Sequence, residues 1–172
     1  MKVIFLDIDG VLNGSVYRRE QMLQGKISVI LQPEPLACLQ RIAASTDASI
    51  ALISSWKKFW ERDGSVDSAG LEIEQTLNGL GLFIADKTPV IPGGSRSAEV
   101  EQWLKNKRYV EQYVILDDKD FSWTRKQRPH WVQCPGDTGL TNDLADMAIA
   151  ILNGHLIKPT AKNLFRRLLR RQ

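Results

Sequence analysis

The chain opens on an apolar run with a single polar position. Lys2, Val3, Ile4, Phe5 and Leu6 favour β structure, and the run ends abruptly at Asp7. A short apolar stretch closed by a carboxylate predicts a buried strand over residues 2–6. The pattern returns at 49–53, which is followed by Ser54 and Ser55, and at 113–116, which is followed by Asp117 and Asp118. Residues 131–134 predict a further strand. Helical spacing fills several of the intervals. Pro33 and Pro35 open a helix whose apolar positions are Leu36, Leu39, Ile42 and Ala43. Ser95 or Ser97 caps a helix through Val100, Trp103 and Leu104. Thr141 caps another through Leu144, Met147, Ala148 and Ile151, which Gly154 stops. Residues 8–32, broken by Gly10, Gly14 and Gly25, read as irregular, and 87–94 as loop. The stretch 56–83 mixes aromatic and helical patterns without one clear period. No internal repeat or low-complexity segment interrupts the chain.

Short apolar strands alternating with helices predict an α/β domain with a parallel sheet covered on both faces. Ligands of such sheets bind beyond the carboxyl ends of the strands. Asp7, Ser54 and Asp117 each follow a strand, so they are expected at one crevice.

Composition narrows the picture modestly. With 172 residues and ordinary apolar and charged fractions, one domain with a full hydrophobic core is expected. Cys38 and Cys134 lack metal-ligand spacing and read as reduced, buried thiols, which points to the cytoplasm. The first apolar run is too short for a signal peptide, and no segment is long and apolar enough to span a membrane, so a soluble protein is expected. The formal charge of +3 conceals an asymmetry. Residues 158–172 carry Lys158, Lys162, Arg166, Arg167, Arg170 and Arg171 without an acid; subtracting those six from 23 bases leaves 17 against 20 acids. The expected organisation is therefore a domain over 1–157 and a basic helical tail over 158–172.

The chemistry concentrates at the strand ends. Asp7 and Asp9 stand two residues apart in Asp7-Ile8-Asp9-Gly10-Val11. Asp7 is placed to attack phosphorus, and Asp9 to protonate the leaving oxygen and later activate water. Two carboxylates repel a phosphate unless a cation intervenes, and Asp117 with Asp118 adds hard oxygen ligands suited to Mg2+. Ser54 and Ser55 with their backbone amides offer donors to phosphate oxygens. A base must balance the remaining charge. Arg96 and Lys87 are both candidates, with Arg96 preferred because it directly precedes a predicted helix.

The order of these segments, Asp7 to Val11, Ser54, Arg96 and Ile115-Leu116-Asp117-Asp118, resembles the haloacid dehalogenase-like (HAD) phosphatase superfamily over residues 2–120. The resemblance implies a Rossmann-like three-layer sandwich. It also implies a nucleophile and metal ligand at Asp7, an acid/base at Asp9 that binds metal through its carbonyl, a phosphate-binding Ser54, and a metal site completed by Asp117 and Asp118. An acid at position 9 implies a phosphatase rather than a dehalogenase. Arg96 departs from the lysine more common in the third motif. Residues 9–13 (Asp-Gly-Val-Leu-Asn), 54–56 (Ser-Ser-Trp) and 138–141 (Thr-Gly-Leu-Thr) resemble a smaller branch found in Swiss Army Knife RNA repair proteins.

About 44 residues separate Asp9 from Ser54 and about 41 separate Ser54 from Arg96. Neither interval holds a full cap domain beside the helices it must carry. The resemblance then implies an open site suited to phosphate on a large or nucleic-acid-type substrate. The tail, with Leu164, Phe165, Leu168 and Leu169 between arginine pairs, reads as a helix docked on the body or as a surface for nucleic acid, and the same pattern fits an anionic membrane surface or an acidic partner helix. Trp56 and Trp60 are placed to border the site; Trp103, Trp123 and Trp131 read as core or rim, and His130 and His155 as structural or surface residues. The expected function is a Mg2+-dependent phosphohydrolase working through an aspartyl-phosphate. The alternative is a non-catalytic module of the same fold that binds RNA or a protein partner. Oligomeric state is not legible.

Overall fold

Strand β1 (Lys2–Leu6) lies at the centre of a five-stranded sheet, flanked by β2 (Ser49–Leu52) and β4 (Gln112–Asp117), with β3 (Ile84–Lys87) and β5 (Trp131–Gln133) at the edges. The order is β3-β2-β1-β4-β5 and every pair is parallel. This computed structural model describes residues 1–26, 29–60, 67–107 and 109–155. The expected basic tail lies outside the described residues.

Parallel strands need long crossovers, and helices supply them. Helices α1 (Ser15–Leu23) and α2 (Pro33–Thr46) lie between β1 and β2, and α3 (Ser68–Asn78) between β2 and β3. Helix α4 (Arg96–Asn106) follows β3, and α5 (Asn142–Leu152) follows β5. The chain runs outward from β1 to β3, then crosses back to β4 on the other side of β1. The reversal puts a topological switch beside β1, where ligands bind in open α/β sheets.

The two-residue period of a strand sorts the core into two layers. Ile4 and Leu6, Ile50 and Leu52, and Val114 and Leu116 face one cluster with Leu36, Leu39 and Ile42 of α2 and Ala145, Ala148 and Ile151 of α5. Val3, Phe5, Ala51, Ile53 and Ile115 face the other, with Val100 and Trp103 of α4. Phe5 meets Trp103 edge-on, at a centroid distance of 5.1 Å and 87° between planes. Burying an aromatic or aliphatic side chain this completely contributes about 1.5–3 kcal/mol. The architecture is the three-layer α/β sandwich that the apolar pattern predicts. No cap domain is inserted among the described residues.

Two expectations need correction. Residues 8–32 are not wholly irregular, because Ser15–Leu23 is helical. That helix buries no residue, and its few apolar side chains, Val16, Met22 and Leu23, are exposed, so little marks it as packed against a core. Its Arg-Arg-Glu-Gln-Met-Leu composition favours a helix on propensity alone. Lys87 is not loop but the last residue of β3. This edge strand is only partly covered, and its register shifts against β2 between Ile50 and Ala51, so its alternation is weak. Elsewhere the expected boundaries are close. Ser95 Oγ accepts from the Ala98 amide at 3.2 Å at the start of α4. Thr141 precedes α5 without a side-chain capping bond. Gly154 adopts φ +84° just past the end of α5. Both cysteines are free and buried. No described helix is long and apolar enough to cross a membrane.

Candidate active site

The three inner strands end at one level. Leu6 pairs with Leu52 on one side and Leu116 on the other. The ladder extends one step further: Asp7 N donates to Leu116 O at 3.0 Å and Ile53 N donates to Leu6 O at 2.9 Å. Asp7 continues the face of Val3 and Phe5, and Asp117 that of Ile115, which is the face α4 covers. Two carboxylates from chain segments far apart are thereby brought side by side at the mouth of the sheet. Asp7 is 3% exposed and Asp117 fully buried.

Helix α4 delivers the base. Arg96 is its first residue, and Arg96 Nη1 donates to Asp7 Oδ2 at 2.6 Å and to Asp117 Oδ2 at 2.5 Å. The guanidinium lies over the Phe121 ring, 4.2 Å from its centroid. Burial pulls the Arg96 pKa down, but the charges of Asp7 and Asp117 outweigh it and raise it. The second oxygens of the two aspartates are fixed by backbone donors. Asp7 Oδ1 accepts from Ile8 N at 2.8 Å, and Asp117 Oδ1 from Lys119 N at 2.9 Å.

Asp118 completes an acidic cluster. Asp7, Asp117 and Asp118 each offer a carboxylate oxygen, and these oxygens lie within 4.8 Å of one another. Among the described residues, Arg96 bonds two of these three carboxylates and Lys119 acts on Asp118 only through space, which leaves the group undercompensated. Burial, and then the neighbouring Asp7 charge, raise the Asp117 pKa to about 7 despite Arg96. Burial also raises that of Asp118. Among the described residues, Asp118 Oδ1 is buried without a hydrogen-bond partner. A buried carboxylate oxygen left open beside two more carboxylates is what a divalent cation with hard oxygen ligands would satisfy. Asp7, Asp117 and Asp118 therefore fit Mg2+.

Glycines make room for Asp118. A Cβ on Gly10 would stand 2.6 Å from Asp118 Cγ, and Gly10 has φ +75°, so a side chain there is excluded twice. A Cβ on Gly136 would approach Asp118 Oδ2 to 3.0 Å. The 135–140 loop is also locked onto the segment after Asp9. Leu140 N donates to Val11 O at 2.9 Å and Ser15 N to Gly136 O at 2.9 Å. The Thr-Gly-Leu-Thr motif thus sits against the first motif, with Gly139 directly over Val11 O.

The Asp9 carboxylate is not one of the three clustered acids, and three other side chains hold it. Oδ1 accepts from Asn13 Nδ2 at 2.9 Å and from Arg18 Nη1 at 3.2 Å. Oδ2 accepts from Trp56 Nε1 at 2.7 Å.

Ser54 is fully buried and caps a short 3-10 turn (Ser55–Phe59), its Oγ accepting from Trp56 N at 3.4 Å. Ser55 is exposed at the first position of that turn. Lys87 does not join the aspartates; its Nζ lies 5.5 Å from the centre of the Trp60 ring. Of the two candidate bases, the geometry brings only Arg96 to Asp7. Trp103, Trp123 and Trp131 are buried, and His130 is structural, its Nδ1 paired with Tyr113 O at 2.9 Å. The basic run 125–128 is partly structural too. Gln127 is buried and exchanges hydrogen bonds with Ser97, and Arg128 pairs with Asp120.

Sequence reasoning did not identify Asn13, Arg18, Phe121 or Gly136 as parts of this site, and gave Trp56 only a place at its border. Asn13 and Trp56 stand inside motifs already singled out, so position within the motif was a usable signal for both. Arg18 lies on the helix that periodicity missed, and nothing in the chain near Phe121 or Gly136 marks them.

No curated protein and no solved structure gave a significant match to the chain. A family model does, covering residues 3–145, which includes all of the sheet but Lys2 and every residue of the site described above. That model describes the HAD domain in Swiss Army Knife RNA repair proteins, and the chain belongs to this family.

Proposed function

We propose that the protein is a Mg2+-dependent phosphomonoester hydrolase that forms an aspartyl-phosphate on Asp7, acting on a large or nucleic-acid-type substrate. The observation that carries this reading is the division of labour between the carboxylates. Asp7 lies with Asp117 and Asp118 around Arg96, whereas Asp9 is held apart by its own donors.

In the first step an Asp7 oxygen forms a bond to phosphorus and the ester P–O bond breaks. Its electron pair stays on the leaving oxygen, which takes a proton from Asp9. In the second step Asp9 accepts a proton from water, the water oxygen bonds to phosphorus and the Asp7–phosphorus bond breaks. Inorganic phosphate leaves and Asp7 is regenerated. Arg96 supplies fixed positive charge against the nucleophile and the transferring group. Ser54 and the amides that follow it are the proposed phosphate donors. Bound by Asp7, Asp117, Asp118 and the Asp9 carbonyl, Mg2+ would screen the acids from the phosphate and stabilise charge on its oxygens.

What covers the site bears on substrate size. The described residues contain one short exposed helix, α1, after the first motif and no inserted domain. An open site suits a phosphate carried on a macromolecule. The six bases of 158–172 would add attraction for a polyanion.

The test is phosphate release with Mg2+ from 5′- and 3′-phosphorylated RNA and DNA oligonucleotides, nucleotides and sugar phosphates. Wild type is compared with Asp7→Asn. Release by wild type and none by the variant is expected. Equal release from both would remove Asp7 as nucleophile, and RNA binding without turnover of any ester would favour the non-catalytic alternative.

A further inference from the structure

Asp9 is held more completely than a general acid requires, and the way it is held distinguishes its two oxygens. An ionised carboxylate has about four acceptor positions, two on each oxygen. Oδ1 receives two donors, Asn13 Nδ2 and Arg18 Nη1. Oδ2 receives one, Trp56 Nε1, at the shortest of the three distances, 2.7 Å. Among the described residues, the open acceptor position of Asp9 is therefore on Oδ2.

The holders differ in rigidity. Asn13 is 2% exposed, and its own Oδ1 accepts from the Gly10 amide at 3.0 Å, so its side chain is fixed by the turn it closes. Trp56 is half-buried, edge-on to Phe59 at 5.2 Å, and follows the capping Ser54. Arg18 lies on exposed α1 and keeps 45% of its side chain in solvent. Asn13 and Trp56 thus determine the rotation of the carboxylate, one from each side, and Arg18 adds charge at its outer edge.

From this geometry we propose that Trp56 is a positioning residue for proton transfer, selecting Asp9 Oδ2 as the oxygen that exchanges the proton with the leaving group. It deepens the reading above and rests on it. Without the indole N–H, Oδ1 remains held by Asn13 but the plane of the carboxylate is free to turn, and Oδ2 is no longer aimed. Phosphorus chemistry at Asp7 is untouched. The defect is therefore specific to esters whose leaving oxygen needs a proton.

The experiment compares 4-nitrophenyl phosphate, whose leaving phenolate departs unprotonated, with benzyl phosphate, whose alkoxide must be protonated. Two variants remove the N–H: Trp56→Phe, and β-(3-benzothienyl)alanine at position 56, which keeps the bicyclic shape and replaces N–H by sulfur. The quantity read is kcat/KM, which reports the step that expels the leaving group. General acid–base assistance contributes about 10²–10⁴-fold, and losing its aim should cost a part of that. Both variants are expected to lower kcat/KM for benzyl phosphate by about 10- to 100-fold, and for 4-nitrophenyl phosphate by less than about threefold. A merely structural role would depress both esters equally. Equal losses, or none, in the benzothienyl variant would overturn the inference while leaving the phosphohydrolase standing. No turnover by wild type with Mg2+ of either ester or of any phosphorylated oligonucleotide would overturn both.

Discussion

The strap between the second and third motifs makes the sharpest stability prediction. Lys57 belongs to the 3-10 turn after Ser54, and Glu99 to the first turn of α4, three residues beyond Arg96. Lys57 Nζ meets Glu99 Oε2 at 2.5 Å, with side-chain exposures of 9% and 11%. The ammonium also donates to Thr88 Oγ1 at 3.1 Å and Pro89 O at 3.4 Å, and Glu99 Oε1 accepts from Ile91 N at 3.4 Å. Lys57→Met keeps the stem and removes the charge, which leaves Glu99 buried without its partner. Removing one member of a buried pair costs about 3–5 kcal/mol, and the residual solvent contact here argues for the lower end. For a chain of this size, each kcal/mol moves the thermal midpoint by about 2–4 °C, so a drop of about 6–12 °C is expected. Lys57→Met with Glu99→Leu removes both charges and should recover more than half of that loss, because apolar replacement of a whole buried pair is often near neutral. Urea unfolding by fluorescence, together with a thermal scan, reads both effects. A single variant within about 1 kcal/mol of wild type, or a double variant no better than the single, would refute the argument that desolvation of an unpaired charge dominates.

The two glycines beside Asp118 separate backbone strain from crowding. Gly10→Ala should lose about 1–2 kcal/mol, since an L-residue is forced to φ +75°, and should also lose phosphate release as Asp118 is displaced. Gly136→Ala, which has no positive φ to strain, should leave the midpoint nearly unchanged and still weaken Mg2+ binding; equal midpoints for the two variants would contradict the distinction. Arg96→Met should cut kcat by about 10²–10³-fold, whereas Arg96→Lys keeps a charge between Asp7 and Asp117 and should stay within about tenfold of wild type. Equal losses in the two would mean that the guanidinium shape matters more than its charge. Mg2+ should stabilise the wild type with the logarithm of its excess over Kd, by about 2.7 kcal/mol at a hundredfold excess, and so raise its thermal midpoint. Asp118→Ala should blunt that rise, and an unchanged response would remove Asp118 from the cation site.

Much of the scaffold was legible because burial writes itself into a strand. β1, β2 and β4 are buried on both faces, so they appear as unbroken apolar runs, and the first polar residue after each run marks the mouth of the sheet. That rule alone brought Asp7, Ser54 and Asp117 to one end of the molecule before any coordinates. Elements that bury little were harder to see. Helix α1 buries nothing, and β3 runs along an edge with only partial cover. Arg96 was legible for a different reason: a capping serine followed by a base gives a helix start, and the start of a crossover helix in a parallel sheet lies near the strand ends.

The two halves of the proposed chemistry differ in how they are encoded. The cation cluster is specified by sheet geometry, since parallel strands in register deliver the residue after each apolar run to the same level, whatever the length of chain between them. Asp7 and Asp117 meet through that rule, and a reader of the chain can apply it. The proton-transfer half has no such rule. Trp56 reaches Asp9 across 47 positions from a turn whose direction depends on the Ser54 cap, and Arg18 reaches it from an exposed helix that buries nothing. Side chains that act on another side chain, rather than continuing a strand, depend on loop conformation, which hydrophobic patterning does not constrain. In folds of this kind, therefore, the residues that hold a metal should be foreseeable from sequence more often than those that aim the acid.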